Sequence, residues 1–249
     1  MCGRFTLLTD ITKIEEQFGA IVPIAIPHLY NISPTQPILI VKYPEATRPD
    51  NSNLPPHDVS LMRWGFVPAF VKEPDKWPLT INIRAETIHL KKSFRNALNH
   101  RRIIIPASGF FEWKKTTGKQ SQPYYITSQN SPIIGFAGLA ETWSGADGTE
   151  IDTAGIITTA ANNDIKMIHQ RMPLIISKEN YQAWLDIRNY RGEDVLRMLT
   201  TPDTEKFIAR KISTKVNDAN YRSEDVLDEI QELETPSASK SRPNQLSLF

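Results

Sequence analysis

The chain reads as a strand-rich α+β protein, with mixed and antiparallel strands curled into a barrel-like core and helices at its periphery. Three observations carry that expectation. The 249 residues are 40% hydrophobic and 23% charged, enough to bury a sizeable core in one large domain. Eighteen prolines against eleven glycines, many bounding short apolar runs, favour many short elements with fixed turns over long helices. Several of those runs are β-branched or alternate apolar with polar residues, the pattern of strands.

Taken in order, Phe5 to Leu8 forms a short strand, and Thr9 or Asp10 caps a helix carrying Ile11, Ile14, Glu15 and Phe18 that Gly19 ends. From Pro23 to Ile32 the chain is apolar, proline-punctuated and extended. Ile38 to Tyr43 and Val59 to Trp64 read as paired strands around a polar surface loop, Pro44 to Asp58. Ser93 to Leu98 offers a short helix, and Ile103 to Ile105 a strand that runs into a glycine-broken strand, Pro106 to Trp113. Tyr124 to Thr127, Ile133 to Ala140 and Thr153 to Thr159 continue the strand pattern, with Gly145-Ala146-Asp147-Gly148 turning the last two into a hairpin. A helical turn from Asn162 leads to His169, then to a strand at Leu174 to Ile176. Helices on Tyr181, Trp184 and Leu185 and on Val195, Leu196 and Leu199 follow, and Phe207 to Val216 alternates like a last strand. The domain spans residues 1–233. Residues 234–249 shift to Thr, Pro, Ser, Lys and Arg, a composition that cannot pack a core and is expected to be disordered.

A formal net charge of +1 makes any nucleic-acid surface a local patch, since bulk electrostatics favours no polyanion. The single cysteine excludes an intramolecular disulfide and favours a reducing compartment. With no signal sequence and no apolar run of the ~18 residues that span a bilayer, the expected location is the cytoplasm. No cysteine-rich zinc pattern occurs, and neither metal nor cofactor is expected.

That one cysteine stands at position 2, in Met1-Cys2-Gly3-Arg4. Removal of Met1 would turn Cys2 into a 1,2-aminothiol, with an amine of reference pKa ~8 beside a thiol of about 8.5. Such a pair traps aldehydes: the amine forms an imine, and the sulfur closes a thiazolidine. A cysteine near a terminus is also often a small buried hydrophobe. Glu112, flanked by Phe110, Phe111 and Trp113, is a candidate general acid or base, because an aromatic surround desolvates a carboxylate; a strand glutamate paired with a cation is the alternative. His169 is a second proton-transfer candidate, and Asn82 could hydrogen-bond a reacting group or satisfy a turn. Arg4, Arg84, Arg101, Arg102 and Arg171 suit phosphate contacts or are solvated surface charges. Trp64, Phe66, Phe110, Phe111 and Trp113 could include a base-stacking platform, although most belong in a core.

Six ordered segments resemble one family, the SOS response-associated peptidase domain proteins that process abasic sites. They are Met1-Cys2-Gly3-Arg4, Tyr30 to Gln36, Trp64-Gly65-Phe66-Val67-Pro68, Asn82-Ile83-Arg84-Ala85-Glu86-Thr87, Gly109-Phe110-Phe111-Glu112-Trp113 and His169-Gln170-Arg171-Met172-Pro173. The resemblance implies that processed Cys2 cross-links the ring-opened aldehyde of an abasic site in single-stranded DNA. It further implies that Asn82 positions the Cys2 end, Glu112 moves protons and reopens the ring, His169 protonates the sugar oxygen, and Arg4 and Arg84 grip phosphates. Trp64 and Arg171 complete the expected DNA contacts. Weak lyase activity is expected if an imine forms without the thiol. Alternatives are a thiol peptidase that removes its own leading residue through Cys2, His169 and Glu112, and a non-covalent single-strand binder. Departures from the family are confined to loop lengths, mainly Pro44 to Asp58. The chain ends in Gln245-Leu246-Ser247-Leu248-Phe249, which resembles the bacterial sliding-clamp binding pentapeptide through Gln245, Leu246, Leu248 and Phe249. Such a partner would bring the protein to replication forks.

Overall fold

The computed structural model describes residues 2–8, 10–44, 53–116, 121–199 and 205–230. The tail from residue 234, its terminal pentapeptide and much of the loop at 44–58 lie outside the described residues. In chain order the elements are β1 (Phe5–Leu7), α1 (Ile11–Phe18), β2 (Leu29–Ile32), β3 (Pro37–Lys42), β4 (Asp58–Trp64), β5 (Asn82–Arg84), α2 (Lys92–His100), β6 (Arg102–Ala107), β7 (Gly109–Lys115), β8 (Ser121–Ser128), β9 (Ile134–Ser144), β10 (Glu150–Ala160), β11 (Arg171–Pro173), β12 (Ile175–Ile176), α3 (Tyr181–Leu185), α4 (Gly192–Leu199) and β13 (Phe207–Lys211).

Five strands close into a barrel in the order β10-β4-β3-β6-β9, with β9 returning to β10. The β4–β10 pair is parallel and the other four junctions of the ring are antiparallel, so the barrel is mixed. Closure hides the edges of these apolar strands. Ile40, Val41, Ile103, Ile104, Ile105, Phe136, Leu139, Ile156 and Ile157 are buried as its core. The length of β10 also lets its far end hold β5 in parallel and β11 antiparallel, which sets up the site described below.

β12 pairs with β9 on the barrel, and five further strands form an antiparallel sheet, β13-β8-β7-β1-β2. The chain passes from barrel to sheet across Ser108 alone, which stands between β6 and β7. Its amide donates to Thr6 O at 2.8 Å and its hydroxyl accepts from the Leu8 amide at 2.8 Å, fastening β1 at the crossing. Gly109 follows because a Cβ there would lie 2.7 Å from both Ile126 O and the Tyr125 ring. The two faces of the sheet serve different cores. Phe110 packs with the barrel side, whereas Phe111, Tyr125, Ile212, Val216 and Val226 form a separate cluster.

Local chemistry explains the element ends. Asp10 caps α1 by accepting from the Thr12 amide at 3.1 Å, and Gly19 ends that helix with φ 58°, where a glycine costs little. The strand expected at Leu174 to Ile176 is divided, because Leu174 changes neighbours: its amide donates to Ile157 O of β10 and its carbonyl accepts from Ala137 of β9, both at 2.8 Å. The strand expected to reach Val216 stops at Lys211, since Ser213 accepts from the Lys215 amide and starts a 3-10 turn at Thr214–Asn217. No helix among the described residues is long and apolar enough to cross a membrane.

Arg102, read from sequence as a possible phosphate ligand, is a strut instead. It is 1% exposed, and its guanidinium donates to the carbonyls of Leu98, Trp184, Asp186 and Tyr190, tying α2 and α3 to the barrel rim. Burial pushes it down to about 10. Arg101 beside it lies 3.3 Å from Glu141 and 3.1 Å from Thr142 Oγ1.

Candidate active site

Cys2 is 0% exposed, at the seam between barrel and sheet. Strand register brings a carboxyl to it. Phe5 pairs with Phe110, and the Phe111 amide donates to Arg4 O at 3.0 Å, so the N-terminal residues run antiparallel along β7. Side chains alternate along a strand, so Glu112 shares the barrel-side face of Phe110. Asn82 arrives on β5, which is held by β10, and its Nδ2 donates to Cys2 O at 2.9 Å. His169 arrives on the connection from β10 to β11, with Nδ1 3.7 Å from Glu112 Oε1. The four residues expected to carry chemistry, Cys2, Asn82, Glu112 and His169, therefore converge from four segments.

The electrostatics follow from burial. Glu112 is 2% exposed, and desolvation raises its carboxyl above the ordinary carboxylate range while the nearby His169 opposes the shift. Burial pushes the Cys2 thiol up, and the charge of Glu112 adds to the effect. The Cys2 Sγ lies 3.6 Å from Arg4 O. Asn82 Oδ1 is buried and meets no hydrogen-bond partner among the described residues. A carboxyl with a raised pKa beside an imidazole can exchange protons near neutral pH.

The expected DNA contacts divide. Arg84 is exposed at the end of β5, two residues from Asn82. Arg4 is a brace: its Nη1 donates to Asn31 Oδ1 at 2.9 Å and to Val216 O at 2.6 Å. Arg171 forks onto Glu86 at 2.5 and 3.0 Å and donates to Thr158 O at 2.6 Å, so a phosphate would have to break an ion pair to reach it. Trp64 is corrected outright. It is 0% exposed, its Nε1 donates to Ile81 O at 3.1 Å, and its ring meets Phe5 edge-on, so no base can stack on it. Phe66, Phe110 and Phe111 are core as well, while Trp113 is half-buried and bonds Asn217 Oδ1 at 2.7 Å.

Sequence reasoning missed Asn31, which accepts from Arg4 and donates to Asp218 O at 3.0 Å and Tyr221 O at 2.9 Å. It thereby holds the 216–221 turn against the N-terminal strand. Its place inside the Tyr30 to Gln36 segment was the available signal. Glu86 was also passed over, although it stands within the Asn82 to Thr87 segment. Among the described residues no group of three or more His, Cys, Asp or Glu could hold a metal ion.

Comparison with known proteins gives one family. The chain is 36% identical over 231 residues to the abasic site processing protein YoqW of Bacillus subtilis, covering 92% of this chain and 99% of that one. It is 29% identical over 230 residues to the abasic site processing protein HMCES of Rattus norvegicus, covering 80% of this chain and 64% of that one. A crystal structure of a protein from Bacteroides thetaiotaomicron superposes with a TM-score of 0.77 at 25% identity, over 92% of this chain and all of that one. The model of the SOS response associated peptidase (SRAP) family matches residues 1–219, and the chain belongs to that family.

Proposed function

We propose that this protein processes abasic sites in single-stranded DNA by forming a covalent thiazolidine between Cys2 and the sugar aldehyde. The observation that carries the reading is the convergence of the only cysteine, at position 2, with Asn82, Glu112 and His169. The names of the relatives point to the same lesion. Hydrolysis of the Met1–Cys2 peptide bond frees the α-amine. His169 gives a proton to the sugar ring oxygen and the anomeric hydroxyl releases one in return, so the deoxyribose opens to its C1′ aldehyde with no net change in protons. The amine adds to C1′, Glu112 relays its proton to the new hydroxyl, and water leaves to give the imine. Sulfur then adds to the same carbon, and the thiol proton passes to the imine nitrogen. The balance is one water lost per adduct, with no oxidant or reductant.

Asn82 holds the Cys2 carbonyl and so orients both nucleophiles, and Arg84 supplies an exposed cation for the DNA backbone. The peptidase alternative asks the Cys2 thiolate to act while the residue is still internal. Burial and the charge of Glu112 push that thiol up, away from the thiolate such an attack requires.

The test is the intact mass of the mature protein before and after mixing with an abasic oligonucleotide. The expected product is protein plus oligonucleotide less one water, absent in Cys2→Ala; no heat-stable adduct from the wild type sinks the reading. Cys2→Ala retains an amine, so slow strand cleavage through an imine and β-elimination is expected from it. Full DNA affinity without an adduct would instead support the binding-only alternative.

The terminal pentapeptide extends the proposal. Gln245, Leu246, Leu248 and Phe249 would tether the domain to a bacterial sliding clamp and so to replication forks. Removing the last five residues should abolish clamp binding and leave cross-linking on naked DNA intact; unchanged clamp affinity refutes the tether.

A further inference from the structure

Arg171 touches His169 through its main chain and Glu86 through its side chain. The Arg171 amide donates to His169 Nδ1 at 3.0 Å, and Arg171 O lies 3.0 Å from the same nitrogen. Which contact is made depends on which ring nitrogen carries the proton. A neutral ring that accepts from the amide carries it on Nε2, and one that donates to Arg171 O carries it on Nδ1. A protonated ring can donate from Nδ1 to Arg171 O, or toward Glu112 across 3.7 Å. Each contact with Arg171 requires its backbone to stay where it is.

Strand pairing secures part of it: Arg171, the first residue of the three-residue strand β11, stands opposite Ala160 of β10, and the Ala161 amide donates to Gln170 O at 3.0 Å just before it. The guanidinium supplies a second anchor. Its two Nη atoms meet the two carboxylate oxygens of Glu86 at 2.5 and 3.0 Å, and Nη2 also reaches Thr158 O at 2.6 Å and Thr158 Oγ1 at 3.2 Å on β10. A planar fork of this kind fixes orientation as well as distance. The hydrogen bond from Arg171 holds the Glu86 carboxyl below its ordinary range, so the anchor stays charged. Glu86 also lines a groove of about 570 Å³ with Ala85, Ile88, Thr159, Glu193 and Leu196.

We propose that Glu86 is a positioning residue: by forking Arg171 onto the end of β10 it helps hold the Arg171 main chain against His169 Nδ1 and so fixes the orientation of the ring beside Glu112. The catalytic consequence rests on the abasic-site reading; the effect on the ring does not. The experiment records ring-nitrogen spectra of His169 in wild type, Glu86→Ala and Glu86→Gln, and measures adduct formation with an abasic oligonucleotide. Glu86→Ala is expected to shift and broaden the His169 ring-nitrogen signals as the ring loses its fixed orientation, and to slow adduct formation about 10- to 100-fold. Glu86→Gln, which keeps the size but not the charge, should move both readouts in the same direction. Glu193→Gln removes another carboxylate from the groove and should change neither. Unaltered His169 ring nitrogens in a folded Glu86→Ala protein overturn the proposal, and if that variant does not fold the Glu86→Gln spectrum decides. A wild type that forms no adduct refutes the abasic-site reading alone, because the ring-nitrogen comparison still decides the role of Glu86.

Discussion

Arg102 and Glu112 lie ten residues apart on the ribbon formed by β6 and β7, both charged and both almost wholly buried, and they do opposite work. Arg102 is surrounded by main-chain carbonyls, whose dipoles cannot take up or release a proton near neutral pH. Its charge is fixed and it functions as a strut between helices and barrel. Glu112 faces the imidazole of His169, a side chain able to accept or give a proton. The difference teaches that burial alone does not mark a reactive charge; what marks it is a neighbour able to exchange the proton.

The largest effect expected from breaking this comparison is at Glu112. Glu112→Gln should slow adduct formation by about 100- to 10,000-fold, the usual worth of a positioned acid–base group, while leaving the fold intact. It should also change stability against pH. The carboxyl is raised in the folded protein, so the native state holds a proton that the unfolded chain releases. Wild-type stability therefore falls as pH rises from the ordinary carboxylate value of 4.5 through the raised one, and Glu112→Gln should lack that fall in melts across the window. A variant with the same slope as wild type would place the titration elsewhere.

Arg102→Met comes next and should act in the other direction, on stability and not on chemistry. It strips the donor from four buried carbonyls, at a cost of about 3–5 kcal/mol in denaturant titration. The fraction that stays folded should cross-link at the wild-type rate. A melt like that of wild type would show that the helices are held by their apolar contacts alone. Asn82→Ala is the mildest. It removes the 2.9 Å bond to Cys2 O, worth about 1 kcal/mol, and should slow adduct formation about fivefold with little change in melting temperature. An undiminished rate would mean that β1 and β7 orient Cys2 unaided.

Much of the fold was legible from residue order because its determinants are local. The Asp10 and Gly19 caps, the β-branched run of β3, the alternation in β4, and the Gly145 to Gly148 turn each depend on neighbours within a few residues. Leu174 was legible as apolar strand but not as the point where the chain trades β10 for β9, since that depends on which strands flank it. The site shows the same division. Cys2 drew notice because it is the only thiol, and Glu112 because it stands among aromatics.

The arginines and Trp64 were the least legible, for a physical reason. A guanidinium looks the same in sequence whether it meets DNA, a carboxylate or a carbonyl, and an indole looks the same whether it stacks on a base or fills a core. By itself the sequence determined a strand-rich chain with a lone cysteine at position 2, a carboxylate between aromatics and a family membership spread over six segments. Only the tertiary structure decided that β7 lies alongside the N-terminus with Glu112 on its inner face, that Asn82 reaches the Cys2 carbonyl, and that Arg4, Arg102 and Arg171 are engaged inside the molecule. Those outcomes depend on contacts between residues more than 200 positions apart, such as the 212 between Arg4 and Val216, which no local pattern encodes.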